Sequence, residues 1–190
     1  LDKLQGVVQA NPKDVNALLQ MGMLYEQAKD YPAARDAYER LVAVDSSVTA
    51  ALNNLAYLYA EKFNQLDKAF EMARKARDTS PSDPSIADTL GWIVFKRGDY
   101  PWALTLIQES ADNLPSPEAE VLYHLGMTLG MMGEEQRARK AFEQARALNT
   151  EFQGREDMLR RMEYLYLDPA AVPATAIAGL EEVHIGETIA

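Results

Sequence analysis

The segments "KDYPAAR" at residues 29–35 and "GDYPWAL" at residues 98–104 decide the fold. Both contain Asp-Tyr-Pro, one spacer and then Ala, and 69 residues separate Asp30 from Asp99. This interval is close to twice a period of about 34 residues. We therefore expect a structural unit of that length to recur between the two segments and on either side of them.

The recurring unit is marked by pairs of one large apolar residue followed by one small residue. Four such pairs follow one another at intervals of 34, 35 and 35 residues: Met21-Gly22, Leu55-Ala56, Leu90-Gly91 and Leu125-Gly126. A second set of small residues recurs at intervals of 35, 34 and 35: Ala34, Ala69, Ala103 and Ala138. Helix-breaking segments rich in Pro, Asp, Asn and Ser separate the units. These segments lie at 11–12, 45–47, 80–84, 113–117 and 149–150.

The spacing predicts pairs of helices that cross closely. The first small residue of each unit lets two backbones approach, and we expect the second small residue to match it on the second helix while large residues fill the space around the contact. The opening segments then mark the entry to a second helix. Asp30 and Asp99 offer a carboxylate as N-cap, and Pro32 and Pro101 occupy the first turn, where a missing N–H costs nothing.

This pattern resembles the tetratricopeptide repeat, a helix–turn–helix unit of about 34 residues. The resemblance covers about residues 15–150 and implies an all-α fold, a right-handed superhelical solenoid. Its four repeats are expected at 15–48, 49–83, 84–117 and 118–150. The terminal Pro of the family pattern is kept at Pro81 and Pro115, whereas Ser46 and Thr150 replace it in the other two repeats.

The two ends depart from the repeat. Residues 1–12 fit the second helix of a truncated preceding repeat, so we expect the chain to be a fragment of a longer protein. Residues 151–166 are predicted to form a C-terminal capping helix, because Arg160 stands where the next small residue is due and would block a close crossing. Residues 167–190 contain two prolines and no long apolar helical stripe, which predicts an extended or disordered tail.

Composition excludes several functions. The net charge of −10 and the pI of about 4.7 disfavour binding to nucleic acid or to an anionic membrane surface. No apolar run approaches the roughly 18 residues of a membrane-spanning helix, so we expect no membrane insertion. With no cysteine, two separated histidines and no Gly-rich phosphate loop, we predict neither catalysis nor a metal or cofactor. The sequence favours neither the cytoplasm nor the bacterial periplasm or envelope.

The resemblance implies that the first helices line a concave groove that binds a peptide or a partner's helix. Met23, Tyr57, Trp92 and Met127 share one repeat position, so we expect them to form an exposed apolar stripe. Asn53 and Asn54 would hold a peptide backbone. The complete set of candidate binding residues is Leu19, Gln20, Met23, Asn53, Asn54, Tyr57, Asp88, Trp92, Phe95, Tyr123, His124, Met127 and Met131. Only Asn54 matches the Lys, Arg and Asn set with which chaperone adaptors of the family clamp a C-terminal carboxylate.

Three alternatives stay open at this point. Trp92 and Phe95 could simply pack between neighbouring first helices. The apolar tail segment "PAAVPATAIAGL" could occupy the groove of its own or a neighbouring chain, which would produce autoinhibition or a homo-oligomer through tail or groove. Finally, the repeats could form the regulatory array of an enzyme whose catalytic part lies outside this chain.

Overall fold

The computed structural model describes residues 2–166, which form ten α-helices and no strand. The predicted tail at 167–190, and any self-association or autoinhibition through it, lies outside these residues. The helices are α1 (Asp2–Ala10), α2 (Val15–Gln27), α3 (Tyr31–Val44), α4 (Thr49–Glu61), α5 (Leu66–Thr79), α6 (Pro84–Lys96), α7 (Tyr100–Asn113), α8 (Ala119–Met131), α9 (Glu135–Ala147) and α10 (Arg155–Tyr166).

The Asp-Tyr-Pro segments begin α3 and α7. The Asp30 carboxylate accepts a hydrogen bond of 3.2 Å from the backbone N–H three residues later, and Asp99 does the same at 3.2 Å. Pro32 and Pro101 follow in the first turn of each helix. The predicted N-cap role of both aspartates is therefore confirmed, and it explains why the same phrase occurs twice.

Each of the four hairpin turns contains one residue with left-handed backbone geometry. Gly98 and Gly133 have φ values of 88° and 76°, and the corresponding turns hold Lys29 at 58° and Asn64 at 52°. Glycine and asparagine adopt this geometry at little cost, whereas Lys29 adopts it with a side chain that disfavours it. The four turns therefore share the same left-handed backbone conformation, although the residue that adopts it is not the same in every turn.

The two helices of a pair cross where a glycine of the first helix faces a large side chain of the second. A Cβ atom added to Gly22 would lie 2.6 Å from Cδ1 of Tyr38, and one added to Gly126 would lie 2.5 Å from Cδ1 of Phe142. At Gly91 it would lie 2.6 Å from Cγ1 of Ile107. The predicted close crossings are therefore present. The side chain nearest to each glycine, however, is not the expected alanine at 34, 103 or 138. It is the large residue four positions later on the second helix.

The hairpins stack side by side around a continuous apolar core. Consecutive first helices α4, α6, α8 and α10 touch one another, and no comparable contact joins consecutive second helices within residues 2–166. The first helices therefore lie on the inner, concave side of an all-α solenoid. In this part of the chain, no helix is both long and apolar enough to cross a membrane.

Two glycines of α8 provide a matched test of the helix crossing. We expect Gly126→Ala to lower the free energy of unfolding by about 1–3 kcal/mol, because the new methyl group overlaps the Phe142 ring. Gly130→Ala meets no atom within 4 Å, so it should raise this free energy by about 0.5–1 kcal/mol through helix propensity. Denaturant unfolding of both variants measures the difference. Equal effects of the two substitutions would contradict a tight contact at Gly126.

Candidate functional site

A cavity of about 130 Å³ lies between α4, α6 and α8 on the concave face. It brings together five of the predicted binding residues: Asn53, Tyr57, Asp88, Trp92 and His124. Its remaining lining residues are Ala60, Glu61, Ser85, Thr89, Ile93 and Glu120. We call this space the central cavity. Because it is built from three consecutive first helices, its shape depends on the register between the repeats.

Trp92 forms one wall of the central cavity and is half-buried. Its ring stacks on His124, with centroids 4.1 Å apart and planes at 16°, and on Phe95, with centroids 4.6 Å apart and planes at 8°. The indole Nε1 donates a hydrogen bond of 3.0 Å to Glu61. Packing between first helices therefore does occur, as the alternative interpretation of Trp92 and Phe95 expected, and it leaves part of the indole exposed.

Several ionisable groups surround the central cavity. His124 Nδ1 lies 3.0 Å from both carboxylate oxygens of Asp88, and Lys96 Nζ lies 2.5 Å from Glu61. Glu120, in contrast, has no hydrogen bond or ion pair to any side chain that the structure describes. Burial raises the pKa of Glu120, the charges of Asp88 and Glu61 raise it further, and His124 opposes the shift. Glu120 thus contributes a poorly solvated carboxyl group to the cavity.

The two neighbouring asparagines differ in their contacts. Asn54 donates a hydrogen bond of 3.1 Å to the hydroxyl of Tyr38, which itself donates one of 2.7 Å to Glu26. Asn54 is thereby engaged in a contact between repeats. The side-chain oxygen of Asn53 is buried at the cavity and has no hydrogen-bond partner among the described residues. Of the pair, only Asn53 lines the cavity and has an acceptor without a hydrogen-bond partner among the described residues.

The loop before α10 reaches back across the concave face. The Tyr57 hydroxyl donates a hydrogen bond of 2.9 Å to Gln153, which also bonds Lys62 and Glu61. These contacts connect α4 with a residue more than 90 positions later in the chain. The loop therefore partly covers the groove on the side facing α10 and fixes the Tyr57 hydroxyl.

The expectation of a continuous exposed stripe is wrong at its C-terminal end. Tyr123 and Met127 are only 5% and 8% exposed. Met127 packs in one cluster with Met158 and Met162 of α10, and Tyr123 contacts Gly154 and the Phe152 ring. Helix α10 and its preceding loop cover both side chains because α10 takes the place of a further first helix. Arg160, predicted to block a close crossing, lies exposed.

The remaining predicted residues lie outside the central cavity. Met131, which is 49% exposed, lines an apolar hollow of about 360 Å³ beside α10. Gly130 and Glu135 are among the residues that line this hollow. They occupy the positions in the fourth repeat that Phe95 and Tyr100 occupy in the third. At the other end of the groove, Gln20 and Met23 line a shallow hollow, and the neighbouring Leu19 is half-buried. Met23 is 54% exposed.

Five polar residues of the central cavity and its covering loop were not among the predicted binding residues: Glu61, Ser85, Thr89, Glu120 and Gln153. The first four occupy inward positions of their repeats, so the repeat register could have identified them. The prediction favoured aromatic and amide side chains instead. Gln153 lies in a loop with no repeat register, and no sequence signal places it against Tyr57.

Two family models match the chain, and both describe the tetratricopeptide repeat: one covers residues 4–84 and the other residues 120–149. The chain belongs to the tetratricopeptide repeat family. A TPR repeat-containing protein of Pseudomonas aeruginosa is 30% identical over 115 residues, which are 60% of this chain and 19% of that protein. Anaphase-promoting complex subunit 3 of Schizosaccharomyces pombe is 26% identical over 136 residues, 64% of this chain and 20% of that protein. The chain spans about a fifth of the length of these curated relatives.

Solved tetratricopeptide repeat structures share the fold. YrrB, described as a TPR protein with an unusual peptide-binding site, superposes with a TM-score of 0.64 at 19% identity, covering 86% of this chain and 81% of YrrB. PilF of Pseudomonas aeruginosa gives 0.64 at 20% identity, with coverage of 82% and 69%. MamA gives 0.64 at 18% identity, with coverage of 75% and 82%. These neighbours, at 18–20% identity, show the shared fold, and membership of the tetratricopeptide repeat family supports a protein–protein interaction scaffold.

We expect Glu120→Gln to stabilise this tetratricopeptide repeat protein. The pKa of Glu120 is higher in the folded than in the unfolded chain, so the folded state binds the proton more tightly and stability falls as the pH rises above the ordinary value of 4.5. The variant should therefore gain about 2–4 °C in melting temperature at pH 7 and nothing below pH 4. Glu71→Gln, at an exposed position of α5, is the control. If the gain in melting temperature were the same at every pH, the claim that burial disfavours the charged form of Glu120 would be wrong.

Proposed function

We propose that the concave groove binds a peptide segment or a helix of a protein partner. The observation that carries this proposal is the position of Tyr57 and Trp92. They belong to consecutive first helices, they are both half-buried, and they line the same cavity. Partly exposed aromatic rings at the centre of a concave surface are typical anchors in protein interfaces.

The apolar surface at the two ends of the groove supports the same function. Met23 and Leu24 are exposed at one end, and Met131 and Met132 are exposed at the other. Methionine adapts to partners of different shape because its side chain is unbranched and polarizable. A bound segment that contacts the central cavity and continues toward either end would cover these side chains. That YrrB is described as carrying a peptide-binding site is consistent with this use of the fold.

The groove is tested with peptides selected from a phage-displayed library of random twelve-residue sequences against the intact chain. We expect selected peptides to bind in the micromolar range, measured by fluorescence anisotropy. The double substitution Tyr57→Ala and Trp92→Ala should weaken this binding by about tenfold or more, because it removes both aromatic anchors. Trp102→Ala, on the second helix α7, is the matched control and should leave binding unchanged.

Circular dichroism melting shows whether each variant is folded. If the folded double variant binds the selected peptides as tightly as the parent chain, the central cavity is not where they bind. A milder variant, Tyr57→Phe, retains the ring and loses only the hydrogen bond to Gln153, so it should keep most of the affinity.

A further inference from the structure

The central cavity combines unused acceptors with aromatic walls. Resting on the proposed function, we infer that it receives one positively charged side chain of the bound segment, the ammonium of Lys or the guanidinium of Arg. Glu120 supplies the carboxylate, Asn53 supplies a second acceptor, and the rings of Trp92 and Tyr57 supply the walls. This assigns a chemical class to the ligand that an apolar groove alone does not specify.

The charges around the cavity leave one carboxyl group for a ligand. Glu61 is engaged by Lys96 and by the Trp92 indole N–H, and Asp88 is engaged by His124. Glu120 has no such partner among the described side chains. His124 acts on it favourably without a hydrogen bond or ion pair, and the carboxylates of Asp88 and Glu61 act on it unfavourably. A cation placed in the cavity would offset this repulsion by pairing with Glu120, the carboxylate that neither Lys96 nor His124 engages directly. An anionic or purely apolar ligand would not offset the repulsion between these carboxylates.

The side-chain oxygen of Asn53 provides an independent indication. It is buried, it belongs to a residue that lines the same cavity, and no donor within residues 2–166 reaches it. A buried acceptor without a donor destabilises the folded chain by about 1–3 kcal/mol. Both Lys and Arg side chains carry several N–H donors and no acceptor, so their chemistry matches the two oxygen-bearing side chains, Asn53 and Glu120, that lack a donor here.

The aromatic walls already accommodate ammonium groups of the chain itself. Lys96 Nζ lies 5.6 Å from the centroid of the Trp92 ring, and Lys62 Nζ lies 5.6 Å from the centroid of the Tyr57 ring. Both distances are within the range of cation–π attraction. A ligand cation in the cavity would meet the ring of Tyr57 and the edge of the Trp92 indole, since His124 and Phe95 stack on the indole's two faces.

The size of the cavity fits the end of a basic side chain. Its volume of about 130 Å³ corresponds to about four water molecules at roughly 30 Å³ each. That space holds a charged head group and its adjoining methylene groups, and it does not hold a whole peptide. The rest of the bound segment would lie along the groove outside it.

The test uses n-butylammonium chloride as a probe of the cavity and n-butanol as its neutral counterpart. The intact ¹⁵N-labelled chain contains two tryptophans, so its indole region holds two signals that the variant Trp102→Phe assigns. We expect n-butylammonium to shift the Trp92 indole signal in a saturable way, with NaCl compensating the ionic strength. The Trp102 signal should not move, and n-butanol should have little effect. In Glu120→Gln the apparent affinity should fall about tenfold, and in Glu71→Gln it should not change.

The outcomes separate this inference from the proposed function. Equal Trp92 shifts with n-butylammonium and n-butanol, or an unchanged affinity in the folded Glu120→Gln variant, would overturn the cation site whether or not the groove binds peptides. The peptide arm replaces each Lys of a selected peptide by norleucine. A loss of about tenfold in the parent chain and little loss in Glu120→Gln supports the inference. Equal losses in both proteins, or no loss in either, count against it.

Discussion

The structure depends on one steric constraint, the close crossing of two helices at a small residue. In three repeats a glycine of the first helix lies against Tyr38, Ile107 or Phe142 of the second, at a separation that leaves no room for a methyl group. In the second repeat the equivalent positions hold Ala56 and Ala73, both fully buried. The crossing therefore combines a glycine with a large residue or two small residues, and its recurrence about every 35 residues orients the first helices toward one face.

Because the first helices face one side, they form a groove. The local shape of the groove differs along its length because equivalent positions hold different residues in different repeats. Phe95 and Tyr100 contact each other in the third repeat, and Gly130 and Glu135 occupy these positions in the fourth. An apolar hollow lies there. In the central cavity, Glu120 remains a poorly solvated carboxyl group near other acidic side chains. Such a group lowers the stability of the free chain, and the proposed cation site would offset this cost when a ligand binds.

Much of the fold could be predicted from the sequence, because the signals that decide it are local. The caps at Asp30 and Asp99 and the small residues at the crossings recur in register. The burial of Met127 could not be predicted from local signals, because it depends on how α10 packs against α8. Arg160 stands where the repeat pattern expects a small residue, which suggested a looser contact. Gln153 bonds Tyr57 across more than 90 residues from a loop without register. The inward positions of the repeat predicted most residues that line the central cavity. They did not predict which of these side chains would remain accessible to a ligand.

A double-mutant cycle at the fourth crossing tests the steric constraint most directly. The measured quantity is the free energy of unfolding of the parent chain, Gly126→Ala, Phe142→Ala and the double variant, which copies the Ala56 and Ala73 pair. If the glycine is kept to accommodate the ring, the double variant should be at least about 1 kcal/mol more stable than the sum of the single effects predicts. Additive effects within about 0.3 kcal/mol would contradict the close crossing as the basis of the fold.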